Sequence, residues 1–356
     1  MKICIDIGHP AHVHYFRNFM KLMGEKGHEF FITARDKEVI QYLLDYYQIP
    51  YYDRGKGASG MVGKFWYIFQ ADRKLWVQAR KFKPDVFLSF ASPYAAHVAW
   101  LTRKPHIVLD DTESALLNHM LYLPFSAVVL NPRSFRKKLG PKQLFFDSYM
   151  ELSYLHPNYF TPDASVFQLL GLQPGARYAI LRFVSWHANH DVGQRGLDYD
   201  TKLKLVKRLE QDMNVFISSE GELPPELKKY QIQLPPERLH DALAFAQIYI
   251  GEGATTASEC AMLGTPAIYV NSLSAGTLED QHDMGLLYNF RDASQLFPTL
   301  EKILAHSTPK EELTSKRTQL LQQKIDPTSF FDWFIENYPD SRRIMKENSG
   351  YQYRFK

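Results

Sequence analysis

Residues 246–271 read AQIYIGEGATTASECAMLGTPAIYVN. The short run Ile248–Ile250 has the composition of a buried strand, ends at Gly251-Glu252-Gly253, and passes at once into a helical stretch predicted from Thr255 to Leu263. Gly264 and Pro266 stop that helix, and Ala267–Val270 reads as the next strand. A strand, a helix and a second strand in such close succession form a βαβ unit, and a helical crossover makes its strands parallel. At the helix start the N–H groups of Gly253, Ala254, Thr255 and Thr256 point along the axis with the macrodipole, a site for phosphate oxygens. Thr255 and Thr256 add hydroxyl donors, and the small residues let a ligand approach the backbone. A tight turn with no ligand is the plainer alternative for two glycines alone, so the context must decide.

The same alternation extends in both directions. Upstream in the second half, strands are predicted at Tyr178–Val184 and Asn214–Ser218, with helices at Asp200–Gln211 and Arg238–Ala246. At the N-terminus, Lys2–Ile7 reads as a strand, His12–Lys26 as a helix closed by Gly27, and Glu29–Thr33 as a strand; a helix to about Tyr47 follows. Further strands fall at Val86–Phe90, His106–Leu109 and Ala127–Leu130. Pro and Gly concentrate between Asn158 and Gly175, which we read as a domain junction. The expected organisation is therefore 1–160, 174–325, and a C-terminal helical segment 326–356.

A chain of 356 residues exceeds the usual size of one hydrophobic core, which also calls for two domains. With 45% hydrophobic and 23% charged residues it is an ordinary globular sequence, neither disordered nor fibrous. The opening MKICIDIGHP lacks the apolar core of a secretory signal, no run is long enough to span a bilayer, and two cysteines make no disulfide framework. The expected location is the cytoplasm. Residues 1–160 hold 21 Lys and Arg against 14 Asp and Glu, and the remainder 21 against 25. A basic first half suits an anionic substrate or an anionic membrane surface.

Other stretches carry chemistry. DIGHPAHVHYF places His9, His12 and His14 just after the first strand. Histidines there can act as base, bond a phosphate, cap the helix, or offer His12 and His14 to zinc, although residues two apart on a helix diverge. LDDTESALLN, residues 109–118, sets Asp110, Asp111 and Glu113 between a buried strand and a helix, where they are used, solvated, or spent on capping through Asp111 or Thr112. In LRFVSWHANHDVG, Arg182 ends a strand and can fork onto a diphosphate, with Trp186, His187, His190 and Asp191 in the loop after it. RGKGASGMVGKFWY, residues 54–67, lacks the G-x-x-x-x-G-K-[ST] frame, because Phe65 follows Lys64; we read it as a mobile glycine-rich loop. The basic, aromatic helix after it is a candidate for peripheral membrane contact at the inner face. The short cluster Arg133, Arg136, Lys137 and Lys138 is a solvated helix face rather than a nucleic-acid site.

The segment 246–271 resembles the nucleotide-binding helix of the GT-B superfamily, which includes the N-acetylglucosamine transferase of peptidoglycan synthesis and the UDP-N-acetylglucosamine 2-epimerases. IDIGHPAHVHYFRN (5–18), ITAR (32–35) and LRFVSWHANHDVG (181–193) resemble, over nearly the whole chain, an uncharacterised bacterial and archaeal family, the domain-of-unknown-function 354 family. The resemblance implies an α/β GT-B fold, two Rossmann-like doubly wound parallel-sheet domains facing a cleft, with a terminal segment crossing back to the first domain. It implies a nucleotide-diphosphate sugar donor, uridine-linked, held by Arg182, Gly253, Ala254, Thr255, Thr256 and Glu259, with Glu259 on the ribose. Glu279, Asp280 and Gln281 in GTLEDQHDMG would meet sugar hydroxyls. His12, with His9 beside it, would deprotonate an unknown cell-envelope or polysaccharide acceptor, with no metal and no further cofactor. An epimerase is the leading alternative and would use Glu113; a metal-dependent hydrolase on His12, His14 and Asp110, and a non-catalytic nucleotide-sugar binder, stand behind it.

Overall fold

A computed structural model describes the chain except for Glu38, Ser59, 185–195, Glu220, Ser307 and Thr308, and the side chains of Met61, Val62, Lys64 and Phe65. It divides into two compact units, Met1–Tyr159 with Lys324–Lys356, and Phe160–Gln323.

The first unit runs β1 (Lys2–Ile7), α1 (Pro10–Glu25), β2 (Glu29–Asp36), α2 (Ile40–Tyr46), β3 (Tyr51–Lys56), α3 (Met61–Phe82), β4 (Val86–Phe90) and α4 (Pro93–Leu101). It continues with β5 (His106–Leu109), α5 (Leu116–Tyr122), β6 (Val128–Pro132), β7 (Gln143–Phe146) and α6 (Leu152–Leu155). Among the described residues the strands form one parallel sheet of order β3-β2-β1-β4-β5-β6-β7. The strands β4, β5 and β6 are buried at every residue, which is why they read as mostly apolar runs. By contrast β3 and β7 lie at the sheet edges with alternating or partial burial, and their mixed sequences YYDRGK and QLFF gave no strand signal.

This corrects the glycine-rich stretch. Arg54 lies in β3 and α3 already begins at Met61, so most of 54–67 is strand and helix rather than loop. The outer side of α3 carries Trp66 and Phe69, 64% and 55% exposed, with Arg73, Arg80 and Lys81 farther along. No helix among the described residues is long and apolar enough to cross a membrane.

The second unit comprises α7 (Val166–Leu169), β8 (Tyr178–Phe183), α8 (Tyr199–Leu209), β9 (Asn214–Ser219), α9 (Leu239–Phe245) and β10 (Ile248–Gly251). It is completed by α10 (Ala254–Leu263), β11 (Ala267–Val270), α11 (Gly276–Asp283), β12 (Tyr288–Phe290), α12 (Leu296–Ala305) and α13 (Pro309–Gln323). Its parallel sheet has the order β12-β11-β10-β8-β9, again among the described residues. Unit two begins at Phe160, so the Pro-rich stretch packs into it. Phe167 meets Tyr178 and Phe245 at 5.8 and 5.4 Å between ring centroids, and Arg238 pairs with Asp163 at 3.1 Å.

From Lys324 the chain is part of the first unit again. Asp326 caps α14 (Pro327–Glu336) through the amides of Thr328 and Ser329, and α15 (Asp340–Glu347) follows. The buried face of α14, Phe330, Phe331, Phe334 and Ile335, covers the first unit, with Phe331 5.1 Å from Phe146 between centroids. Lys26, which ends α1, reaches Asp332 and Glu336 at 2.6 and 2.7 Å.

Candidate functional site

In the second unit the chain leaves β8 toward β9 on one side and returns to place β10 on the other. Strand order reverses between β8 and β10, where open parallel sheets hold ligands beyond the strand ends. The residues paired in register at that point are Arg182 and Gly251. Gly251 must be glycine, since a Cβ there would lie 2.6 Å from both the Arg182 carbonyl oxygen and the Tyr249 hydroxyl. A Cβ on Gly253 would lie 3.1 and 3.2 Å from Cδ and Nε of Arg182, so the arginine side chain runs directly across the glycine. Gly253 caps α10 without a side chain, and Ala257 is the residue whose N–H bonds its carbonyl. Ala254, Thr255 and Thr256 therefore form the first turn, with no carbonyl a turn earlier to receive their N–H groups. Arg182 Nη1 donates to Ser218 Oγ at 3.0 Å, and Asn271 Nδ2 to the Glu252 carbonyl at 3.0 Å, bracing the turn from β9 and β11. A guanidinium beside a helix N-terminus is chemistry for an anion with several oxygens.

Glu259 is buried one turn further along α10, and His240 Nε2 on α9 lies 2.9 Å from its Oε1. The sequence gave no warning of His240. GTLEDQHDMG is mostly α11, and this separates the residues expected on a sugar. Gln281 is fully buried and donates to Ser258 Oγ of α10 at 2.7 Å, so it braces two helices instead of presenting its amide. Glu279, two positions away and hence on another face, pairs with Arg291 at 2.9 Å.

Glu252 was also missed. Its buried carboxylate accepts the Val184 N–H at 2.9 Å and the Leu197 N–H at 2.6 Å, with Lys202 at 3.6 Å. One side chain thus pins both flanks of 185–195 to the β10 turn. Trp186, His187, His190 and Asp191 lie outside the described residues.

In the first unit the order reverses between β1 and β4. Asp6, at the end of β1, is buried and receives Thr33 Oγ1 at 2.7 Å, Ser92 Oγ at 2.5 Å, and the buried Arg54 through Nη2 at 3.1 Å. Arg54 in turn lies 4.7 Å from the Tyr94 ring centroid. The three histidines separate. His9 caps α1, its Nδ1 accepting the Ala11 N–H at 3.2 Å. His14 is buried, stacked 5.3 Å from Tyr154. His12 packs 4.9 Å from Phe90, and its Nδ1 accepts the Gly8 N–H at 3.3 Å. Burial, then His9 and Lys37, hold its pKa well below the ordinary value, so the ring is neutral with its proton on Nε2. His12 is the residue expected to act as the base, and Nδ1 is the nitrogen that Gly8 engages.

After β5, Asp110 is fully buried and accepts from His119 Nε2 at 2.9 Å, Tyr122 Oη at 2.5 Å and the Thr112 N–H at 2.9 Å. Neither Asp111 nor Thr112 caps α5, which starts after an uncapped Ala115. Glu113 Oε1 accepts the Arg136 N–H at 3.2 Å. Asp111 stands apart: burial and then the Asp110 carboxylate raise its pKa to about 7. Among the described residues no group of three His, Cys, Asp or Glu is arranged to hold a metal ion; His14 and Asp110 are committed to Tyr154 and to His119 with Tyr122.

Residues 1–312 match a protein family described as "Protein of unknown function (DUF354)". An uncharacterised protein of Methanocaldococcus jannaschii is 24% identical over 281 residues, covering 75% of this chain and 81% of the relative. Among solved structures, UDP-GlcNAc 2-epimerase from Neisseria meningitidis bound to UDP-GlcNAc superposes with a TM-score of 0.62 at 12% identity, over 88% of this chain and 94% of that one. A glycosyltransferase of Streptomyces sp. SF2575 does so with a TM-score of 0.56 at 13% identity, over 90% and 96%. At such identities the likeness shows the fold, the two-sheet α/β architecture of the GT-B class.

Proposed function

The chain belongs to the DUF354 family, and from that footing we propose that it is an enzyme transferring a sugar from a nucleotide-diphosphate sugar, uridine-linked, to an acceptor hydroxyl. One observation carries the reading: the Arg182 side chain lies across Gly253 at the open N-terminus of α10. The amides of Ala254, Thr255 and Thr256 with Arg182 bind the diphosphate, and Glu259, oriented by His240, accepts the ribose hydroxyls with its remaining lone pairs. As the acceptor oxygen bonds the anomeric carbon, the bond to the diphosphate breaks and its charge is met by those same donors. The acceptor proton passes to a general base; in the loop after β5, Asp111, its pKa raised to about 7, titrates in the range such a base needs at neutral pH.

A second reading rests on that same loop. Asp111 and Glu113 together supply two carboxyl groups, the equipment for removing a proton from a sugar and returning it, which is epimerase chemistry.

Calorimetry with UDP and UDP-GlcNAc tests the shared premise. Wild type binds, and Glu259→Ala weakens binding about thirtyfold, roughly 2 kcal/mol for a lost charge-assisted hydrogen bond. Absence of nucleotide binding sinks both readings. Incubation in D2O then separates them, since deuterium entering the sugar without acceptor marks epimerisation and acceptor-dependent release of UDP marks transfer.

A further inference from the structure

The first unit contains a cavity of about 530 Å³ that the proposed function leaves unused. It is lined from α1 by Arg17, Asn18, Met20 and Lys21, from β2 by Phe30 and Ile32, from the α2–β3 connection by residues 47–50, and by Tyr159. These are the early residues of β2 and the approach to the start of β3, so the cavity opens toward the amino ends of the strands. The ends that carry His9, Asp111 and Arg182 are the carboxyl ends.

Its lining combines two kinds of chemistry. Phe30, Ile32, Ile49 and Pro50 give apolar walls, and Phe30 and Tyr159 give ring surface. Against these stand the two cations. Arg17 is fixed in place, its guanidinium 4.7 Å from the Tyr47 ring centroid and one amino group donating to the Tyr47 hydroxyl. Neither Arg17 nor Lys21 has a carboxylate partner among the described residues, and Arg17 Nε is buried without a hydrogen bond. A half-buried guanidinium held by an aromatic ring but left without a counter-ion is expensive unless an anion arrives. Two positive charges one helical turn apart match a dianion better than a single carboxylate, and the volume is that of a small-molecule site.

We propose that this cavity is a second ligand site, which takes an aromatic phosphomonoester with its phosphate on Arg17 and Lys21 and its ring against Phe30 and Tyr159. Because the site lies within the first unit, it stands independently of the nucleotide site on α10.

Phenyl phosphate is the probe, titrated calorimetrically into wild type, Arg17→Met, Lys21→Met and Glu259→Ala, with melting temperatures to confirm folding. The expected result is binding to wild type and Glu259→Ala, loss in Arg17→Met, and a weakening of about tenfold in Lys21→Met, whose side chain is exposed and whose removal leaves the fold intact. No heat at millimolar probe overturns the proposal. So does undiminished binding to Lys21→Met, or binding lost only in Glu259→Ala, which would place the probe on α10.

Discussion

Burial and the Asp110 carboxylate keep Asp111 protonated up to about pH 7 in the folded chain, whereas the unfolded chain releases that proton near pH 4. Between those values the folded state binds more protons, so this group's contribution to stability falls as pH rises. His106 works in the opposite direction: buried between Ser89 and Ser126, its pKa is lowered to about 3, so its contribution grows as pH rises toward 6.5. Asp111→Asn removes the first effect and leaves the second. Scanning calorimetry from pH 5 to 8 should therefore show the wild-type melting temperature falling relative to Asp111→Asn; parallel curves would contradict the assignment. At this scale the sequence revealed groups whose role is local. The first turn of α10 and Arg182 were legible because a strand end and a helix start are written in consecutive residues. His240 and Glu252 were not, since they act on partners 19 and 68 residues away, across packed elements.

Between β8 and β10, adjacency depends on having no side chain at Gly251. Gly251→Ala forces either the Arg182 backbone or the Tyr249 ring to shift, and overpacking of this kind costs about 2 kcal/mol. Gly24, inside α1, has nothing within 4 Å of its would-be Cβ, so Gly24→Ala should gain about 0.5–1 kcal/mol of helix propensity. Urea denaturation of the two variants should show opposite signs, and equal shifts would mean that the contact at Gly251 is unimportant. Interior strands were legible for the reason that makes them interior: both faces are covered, so apolar residues predominate, with Ser89, His106 and Asn131 as buried polar exceptions. The partly exposed β3, β7 and β12 carry no such mark. The helical α11 was hidden by its polar sequence, which periodicity does not betray.

Each unit of the molecule has its own apolar core, and the first is completed by chain from the far end of the sequence. A chain ending at Gln323 would lose Phe330, Phe331, Phe334 and Ile335, each worth roughly 2 kcal/mol when fully buried. Calorimetry of that truncation should show the transition of residues 1–159 lowered or lost while that of 160–323 persists; an unchanged profile would show that α14 adds nothing to the first core. The two-domain plan was legible from length and from the repeated βα rhythm. The junction read between Asn158 and Gly175 belongs to the second unit from Phe160 on, because Pro and Gly signal irregular backbone, not the absence of packing, and Phe167 is packed. The Glu252 carboxylate, which holds Val184 and Leu197 together, has a consequence at this scale too. It closes the chain between them like a clasp, and closure entropy grows slowly with length, about 0.6 kcal/mol for each doubling. Glu252→Ala would therefore release Val184 and Leu197 at once, so that the end of β8 and the approach to α8 depend on a single carboxylate.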